Sequence, residues 1–214
     1  MSLTFSVSSS STLDDSGRQI LFELLSAFEI PTPASLTDAL LSEFGSLARV
    51  LAAGVDAQHR IVGNHPEVIR CFVLVRETML HALKAEMAQA PIVPNAEAVL
   101  RYLHVAMDHE IREQMRVLFL DSGLKLIRDE ILWTGSVTTT SCYPREVIRR
   151  ALELGATSLM LAHNHPSDNI EPSPEDIQIT RAIIDAGRYM DVTVKDHLII
   201  GRHGHTSLRE RGLI

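Results

Sequence analysis

The spacing of apolar residues changes near residues 91–94, where two prolines interrupt the pattern. Before this point, apolar residues recur three and four positions apart and predict helices over residues 17–28, 35–44, 47–53 and 66–87. After it, helical segments alternate with short apolar runs that are typical of strands. The predicted elements are a helix at 96–107, strands at 115–120 and 125–132, a helix at 144–154, a strand at 157–162, a helix from Pro174, and strands at 192–194 and 197–200. This order predicts an α/β fold, with helices flanking a curved mixed sheet, preceded by a small all-α domain.

The same pattern predicts a tail and two domains. Residues 1–16 are rich in Ser, include Asp14 and Asp15 and contain no apolar core, so we expect a disordered tail and not a signal peptide. Residues 17–92 are expected to form the helical domain, and residues 95–214 the α/β domain. No apolar stretch approaches the length of a membrane span.

The most specific spacing begins with two histidines at the end of a predicted strand. His163 and His165 follow a short apolar run and are separated by one residue. Because side chains alternate along a strand, both imidazoles are expected on one face, with Asn164 turned away. Pro166 then ends the extended run. A pair of imidazoles at a strand end is a candidate for binding a metal ion.

A helix start follows at the distance where a third ligand is needed. Ser173, Pro174 and Asp176 have the N-cap, first-turn and third-position pattern of a capping box. The polar loop before them can bring Asp176 back to the end of the strand that carries His163 and His165. Two imidazoles and one carboxylate, with a fourth position open, indicate a catalytic zinc site better than a structural one.

Each part of this pattern is common by itself, and other zinc sites are excluded by residue type. A second His-x-His, at His203 and His205, lies in a glycine-flanked segment that predicts a hairpin turn, not a metal site. Cys71 and Cys142 are too few and too far apart for a structural zinc site. The His-x-Glu and Pro-Cys-x-x-Cys motifs of nucleobase deaminases are absent.

The run His163–Asp176 resembles the motif of the JAMM (MPN-type) metalloproteases, and more closely that of the bacterial RadC family. The resemblance extends from about residue 113 to residue 208, about half of the chain. The motifs that carry it are Pro144-Arg145-Glu146, His163-Asn164-His165-Pro166-Ser167, Pro172-Ser173 and Asp196-His197. One departure is Asp168, where RadC sequences usually have Gly, and it places an additional carboxylate near the expected site.

This resemblance implies roles for five residues. His163, His165 and Asp176 would be the zinc ligands, Ser173 would help to hold the tetrahedral intermediate, and Glu113 would be the general base. A carboxylate at the start of the first long strand is the family's base, and Glu113 is the matching position. On sequence alone, three further acids compete with it for that role, namely Glu110, Glu130 and Glu146.

The N-terminal helices occupy the place of a helix-hairpin-helix region in RadC-like proteins, a module that binds DNA phosphates elsewhere. The candidate turn, residues 61–66, retains only Gly63 of the two glycines, so the motif is degenerate. Residues 1–90 contain six basic and ten acidic side chains, and the net charge of the chain is −7. Phosphate binding needs clustered Lys and Arg, so this balance argues against strong DNA binding and favours packing or partner docking.

The sequence therefore predicts a zinc-dependent hydrolase that cleaves a peptide, isopeptide or related amide bond, with a peptide or protein substrate. The alternatives are a DNA-repair-associated accessory protein that binds DNA or a repair partner, and a metal-binding scaffold without turnover. The composition, with 45% hydrophobic and 22% charged residues, is that of a globular protein. Two cysteines and the absence of a secretion signal favour a cytoplasmic location without membrane association.

Overall fold

The computed structural model describes residues 10–88, 90–92, 95–107, 110, 112–135, 143–202 and 204–214. The chain divides into two compact units, Met1–Thr78 and Met79–Ile214. The sequence predicts the boundary at residues 92–95, whereas the division falls inside a long helix. The reason is that Leu80, Leu83 and Met87, from the second half of that helix, pack in the core of the second unit.

The first unit is helical. It contains α1 (Ser10–Ser26), α2 (Pro33–Phe44), α3 (Leu47–Ala52), α4 (Val55–Val62) and the first part of α5 (Pro66–Ala88). The predicted tail differs from the structure, because α1 already begins at Ser10, while residues 1–9 lie outside the described part of the chain. Helix α4 is missing from the sequence prediction, since its buried positions are only Gln58 and Val62 and its apolar pattern is correspondingly weak.

Local signals end two of these helices. Gly45 follows α2 with a φ of 85°, a left-handed conformation that glycine adopts without a steric penalty. Gly63 follows α4 with a φ of 68° and lies in the predicted hairpin turn before α5. The helices bury one apolar cluster, formed by Leu21, Leu25, Leu40, Val50, Leu51, Val62, Val68, Ile69 and Phe72.

The second unit is a mixed α/β structure. After the end of α5 it contains α6 (Ala96–Met107), β1 (Glu113–Leu120), β2 (Leu126–Gly135), α7 (Pro144–Leu154), β3 (Ser158–Asn164), α8 (Pro174–Arg188), β4 (Thr193–Ile200) and β5 (His205–Ser207). The sheet order is β2-β1-β3-β4-β5, in which β3 and β4 are parallel and the other pairs antiparallel. The predicted α/β class, with helices around a mixed sheet and a helical region before it, is confirmed.

Helices cover both faces of the sheet. On one face, α6 packs against alternate residues of β1, β3 and β4, in the cluster that includes Leu103, Leu118, Met160 and Leu198. On the other face, α7 and α8 pack against the intervening residues of β1 and β3. Every residue of β3 is buried. This explains why the central strand reads as a continuous apolar run and not as an alternating pattern.

One strand prediction differs from the structure, and one hairpin prediction agrees with it. The residues that the sequence divides into two strands at 192–194 and 197–200 form the single strand β4, which contains a register shift at Lys195. In β4, the bulge at Lys195 interrupts the alternation of side chains, so the apolar pattern of this single strand resembled that of two strands. The hairpin predicted in the segment of Gly201 to His205 agrees with the structure, because β4 pairs antiparallel with the short strand β5, whose first residue, His205, lies opposite Ile200.

The connection from β3 to β4 places the candidate site. Because these strands are parallel, the chain must cross over between them, and α8 makes this crossover. A crossover helix begins at the carboxyl end of the preceding strand, so the first turn of α8 meets the end of β3. No helix in the described ranges has the length and apolar character needed to cross a membrane.

Candidate metal centre and its surroundings

The two predicted histidine ligands come together at the end of β3. His163 is the penultimate residue of the strand and is 3% exposed, and His165 follows the strand directly. Their Nε2 atoms lie 2.8 Å apart. The intervening Asn164 is also buried but belongs to the opposite face of the sheet, as alternation predicts.

Asp176 supplies the third side chain from the first turn of α8. Its Oδ1 lies 3.2 Å from Nε2 of His163, and its Oδ2 lies 3.5 Å from Nε2 of His165. One ligand atom from each of the three residues lies within 4.8 Å of the others, a group that could hold a metal ion. Among the described residues, this is the group of His, Cys, Asp and Glu side chains that meets that condition.

The helix cap orients the carboxylate of Asp176. Oδ2 of Asp176 accepts hydrogen bonds from the backbone amide and the hydroxyl of Ser173, at 2.8 and 2.6 Å. In return, the backbone amide of Asp176 donates to the hydroxyl oxygen of Ser173 at 3.1 Å. The predicted capping box is therefore present. Oδ1, which the cap does not use, is the oxygen that lies next to His163.

The hydrogen bonds of His165 fix which ring nitrogen is available. Its Nδ1 lies within hydrogen-bonding distance of the carbonyl oxygen of Asn169. A carbonyl only accepts, so Nδ1 carries the hydrogen and, in the neutral ring, Nε2 keeps its lone pair. That lone pair is directed at the space shared with His163 and Asp176.

The electrostatic environment of the group favours a positive charge. Burial alone would raise the pKa of Asp176, but its contacts with His163 and His165 outweigh burial and hold the pKa well below its usual range. The hydrogen bond to Asp176 raises the pKa of His165, and the charge of Glu113 also raises it, although burial opposes both effects. A site that favours a proton on His165 also favours a metal cation there.

Glu113 is the first residue of β1 and shares the face of the histidines. Met115, two residues later, pairs directly with His163 across the antiparallel strands. Opposite residues and residues two apart lie on the same face, so the side chain of Glu113 belongs to the face of His163 and His165. Its effect on the pKa of His165 agrees with this placement.

Two of the competing acids have partners elsewhere in the fold. Glu130 forms a two-point ion pair with Arg150, and this hydrogen bonding lowers the pKa of Glu130. Glu146 pairs with Arg149 along α7. Both carboxylates are thus engaged by arginines of α7, whereas Glu113 lies on the sheet face of His163 and His165.

Asn164 holds the backbone on both sides of Glu113. Its buried Nδ2 donates to the carbonyl oxygens of Glu110 and Arg112, at 3.2 and 3.0 Å, and its Oδ1 accepts from the amide of Gln114 at 2.9 Å. These bonds include the two peptide groups next to Glu113. The sequence placed Asn164 on the far face but gave it no role. The signal was a polar residue inside a fully buried strand, which must have partners.

Two further polar residues adjoin the group and were not predicted as site residues. Nδ1 of His163 lies 2.8 Å from Nε2 of His197, and Nδ1 of His197 lies 2.6 Å from the hydroxyl of Thr180. Both residues are fully buried. Burial lowers the pKa of His197 well below its usual range, so its ring is neutral. For His197, the sequence signal was an imidazole directly before the apolar end of β4.

The additional carboxylate of Asp168 has a structural role. The residue has a φ of 65°, the left-handed conformation for which Gly is usual. Its Oδ1 accepts a hydrogen bond from the backbone amide of Arg202 at 2.6 Å, which ties the loop after β3 to the turn after β4. His205 is exposed in β5 and is not part of the metal group, whereas His203 lies outside the described residues.

A comparison with protein families identifies the second unit. The family model described as a RadC-like JAB domain matches residues 93–213, more than half of the 214-residue chain. The match contains the end of β3 and the start of α8, which supply the candidate metal centre, and also β1, which begins at Glu113. The chain therefore belongs to the RadC-like JAB domain family.

Proposed function

We propose that this chain is a zinc-dependent hydrolase that cleaves a peptide, isopeptide or related amide bond in a peptide or protein substrate. The observation that supports it best is the convergence of two imidazole nitrogens and one carboxylate oxygen at the end of β3. Family membership supports the same class of chemistry. The fold alone would not be sufficient, because similar folds serve several functions.

The donor atoms fit a divalent cation. Two zinc–ligand bonds of about 2.0–2.1 Å at a tetrahedral angle hold their donor atoms roughly 3.3–3.4 Å apart. Oδ1 of Asp176 lies 3.2 Å from Nε2 of His163, which is close to that spacing, and the other oxygen, Oδ2, lies 3.5 Å from Nε2 of His165. Without a cation or a proton between them, the lone pairs of two Nε2 atoms 2.8 Å apart would repel each other.

Zinc is favoured over other metals by the donors. Two imidazoles and one carboxylate form a mixed nitrogen and oxygen set, and three protein ligands leave one coordination position for solvent or substrate. Bound zinc supplies Lewis-acid chemistry, because it polarises a carbonyl oxygen and makes a water molecule more acidic.

In the proposed reaction, the carboxylate of Glu113 takes a proton from the attacking water and passes it to the nitrogen of the leaving amine. This returns Glu113 to its starting state, so the proton count balances over one cycle. Asn164 keeps Glu113 in place through the two peptide groups beside it. The position of Glu113 at a strand end, and not in a loop, limits the movement of its backbone.

Ser173 has two roles in this proposal, as N-cap and as oxyanion donor. Its single hydroxyl hydrogen is donated to Oδ2 of Asp176, so the hydroxyl must rotate before it can donate to a developing oxyanion. The backbone N–H groups at the start of α8 add a positive potential at the same place. Asp176 keeps its bond from the amide of Ser173 during that rotation.

The test compares the wild-type protein with His163→Ala and Glu113→Gln. We expect purified wild-type protein to contain stoichiometric zinc and to hydrolyse members of a library of fluorogenic peptides and isopeptide-linked substrates. His163→Ala should lose both zinc and turnover. Glu113→Gln should retain zinc and lose turnover by about 10²–10⁴-fold, the usual contribution of a general base.

Other outcomes would contradict parts of the proposal. Unchanged turnover in Glu113→Gln would remove that residue as the base. Zinc binding without hydrolysis across the library would favour the scaffold alternative. Specific binding to branched DNA that survives moderate salt, in a protein without hydrolytic activity, would favour a DNA-associated role.

A further inference from the structure

A path of three hydrogen bonds leads from the outer ring nitrogen of His163 back to the backbone of Asp176. Nδ1 of His163 lies 2.8 Å from Nε2 of His197. Nδ1 of His197 lies 2.6 Å from Oγ1 of Thr180, and Oγ1 of Thr180 donates to the carbonyl oxygen of Asp176 at 2.5 Å. His197 and Thr180 are 0% exposed, so solvent does not replace these partners.

The path has only one direction in which the hydrogens can point. The carbonyl of Asp176 can only accept, so it takes the single hydroxyl hydrogen of Thr180. The oxygen of Thr180 must then accept from Nδ1–H of His197. The neutral ring of His197 therefore presents an unprotonated Nε2, which accepts from Nδ1–H of His163. As a result, Nε2 of His163 keeps its lone pair and faces the candidate metal centre.

The sheet directs His197 to this position. In a regular strand, a residue three positions after Val194 would face the opposite side of the sheet from it. The register shift leaves Lys195 without a partner on β3, and His197 pairs directly with Leu161. His197 therefore shares the face of Leu161 and of His163, two residues further along β3. The bulge converts a residue that would face α6 into a neighbour of the metal ligands.

We propose that Thr180 and His197 are positioning residues that hold His163 in the Nδ1–H tautomer, and thereby set the affinity of the centre for a divalent cation. This depends on the metal binding in the proposed function and not on hydrolysis. The path starts at one proposed ligand, His163, and ends at the backbone of another, Asp176. His165 is held separately, by the carbonyl of Asn169.

A purely structural role for His197 would need only that both ring nitrogens have partners, which buried polar groups require in any case. Either tautomer would meet that need if the Thr180 hydroxyl could donate to His197. The carbonyl of Asp176 removes this freedom, because it already takes the hydroxyl hydrogen. In the opposite tautomer, His197 would donate to His163 and drive a hydrogen onto the nitrogen that should bind the metal.

Thr180→Val tests this path of hydrogen bonds with little change in the shape of the side chain. The variant removes the hydroxyl that sets the direction of the hydrogen bonds, so we expect zinc affinity, measured by competition with a chromophoric chelator, to fall about 10–100-fold, as is usual when an outer hydrogen-bond partner of a metal site is lost. Thr180→Ser restores the hydroxyl and should bring affinity back close to the wild-type value.

Thr37→Val is the matched control. Thr37 is also fully buried and makes the same hydrogen bond along its helix, from Oγ1 to the carbonyl of Pro33 at 2.8 Å. It lies in the first unit, outside the region matched by the family model. This variant loses the same helix hydrogen bond and some stability, but it should bind zinc like the wild-type protein.

A second readout detects the tautomers directly. In long-range ¹⁵N–¹H spectra of the zinc-loaded protein, we expect a hydrogen on Nδ1 and none on Nε2 for both His163 and His197. A hydrogen on Nε2 of His197, or zinc affinity in Thr180→Val equal to that of wild type, would overturn the proposed roles of Thr180 and His197. If wild-type protein itself failed to bind zinc, the proposed metal centre would fail as well, so the two failures are distinguishable.

Discussion

Substitutions of Asn164 test how the fold holds the segment around Glu113. The amide of Asn164 donates to the carbonyls of Glu110 and Arg112 and accepts from the amide of Gln114. Asn164→Ala removes all three bonds. Asn164→Asp keeps the size of the side chain and the acceptor for Gln114, but it replaces the donor with a carboxylate oxygen that faces two carbonyl oxygens.

The expected order of stability is wild type, then Asn164→Ala, then Asn164→Asp. A neutral hydrogen bond contributes about 1 kcal/mol net, and a buried group left without its partner costs about 1–3 kcal/mol, so Asn164→Ala should lower the free energy of unfolding by about 2–4 kcal/mol. In Asn164→Asp, a buried charge would lie close to oxygens now 3.0 and 3.2 Å from the amide nitrogen. The free energy of unfolding of Asn164→Asp should therefore be about 1–3 kcal/mol lower than that of Asn164→Ala near pH 8.

Acid should reduce the penalty of Asn164→Asp. Burial and the two carbonyl oxygens raise the pKa of the introduced carboxyl above its value in the unfolded chain. The folded state then binds more protons than the unfolded state, so stability falls as pH rises. On acidification the carboxyl gains a hydrogen and can donate to one carbonyl. The difference between the two variants should therefore shrink from pH 8 to pH 5.5.

Urea unfolding of the metal-free protein, followed by tryptophan fluorescence, measures these differences. The chain has one tryptophan, Trp133, and it lies in β2, so the signal reports on the second unit. The reasoning would be refuted if Asn164→Asp were as stable as Asn164→Ala at pH 8. It would also be refuted if Asn164→Ala remained within about 0.5 kcal/mol of wild type, the range of an ordinary surface substitution.

Three further predictions concern the centre and its loop. Because the pKa of His165 is raised, its proton competes with zinc, so zinc affinity should increase with pH and level off above that pKa. In the metal-free protein, the stabilisation by protonated His165 is complete below the ordinary pKa and is lost as pH rises through the pKa of the folded state. Thermal melts with and without zinc can separate these two opposite trends. Asp176→Asn should abolish tight zinc binding and lower the Tm of the metal-free protein at neutral pH, because the carboxylate whose pKa is depressed by the histidines stabilises the fold above its ordinary pKa; a metal-free Tm equal to wild type would contradict this. Gly201→Ala should lower both Tm and zinc affinity, because the new Cβ would lie 2.6 Å from Cγ2 of Ile170 and 2.8 Å from Oδ1 of Asp168; a Tm equal to wild type would show that the loop adjusts freely.

Most of the secondary structure of the second unit follows from the sequence. Apolar spacing predicted α6, α7, β1 and β3 within one or two residues, and the capping box marked the start of α8. These signals depend on residues that are close together in the chain. Across the chain, the elements that differed include α1, which begins at Ser10, α4, which is short, and β4, in which a bulge reverses the alternation.

The metal group was also predictable, and for a physical reason. His163, His165 and Asp176 lie within fourteen consecutive residues that form a strand end, a loop and a first helical turn. A crossover helix must start near the end of the strand that it follows, so local sequence nearly determines their meeting. The prediction of Glu113 needed more than local spacing, because its position beside the histidines depends on the register between β1 and β3. The family resemblance, and not the spacing, indicated this residue.

What only the tertiary structure decided is how each of these side chains is held. Asn164 bonds a segment more than fifty residues earlier, and Thr180 reaches His197 on the neighbouring strand. Such contacts depend on strand register and on one bulge, and a shift of a single residue would turn the strand residues Asn164 and His197 to the opposite faces of the sheet. The sequence alone determined which groups could bind a metal. The packing of distant elements determined which nitrogen of His163 faces the centre and how Glu113 is fixed.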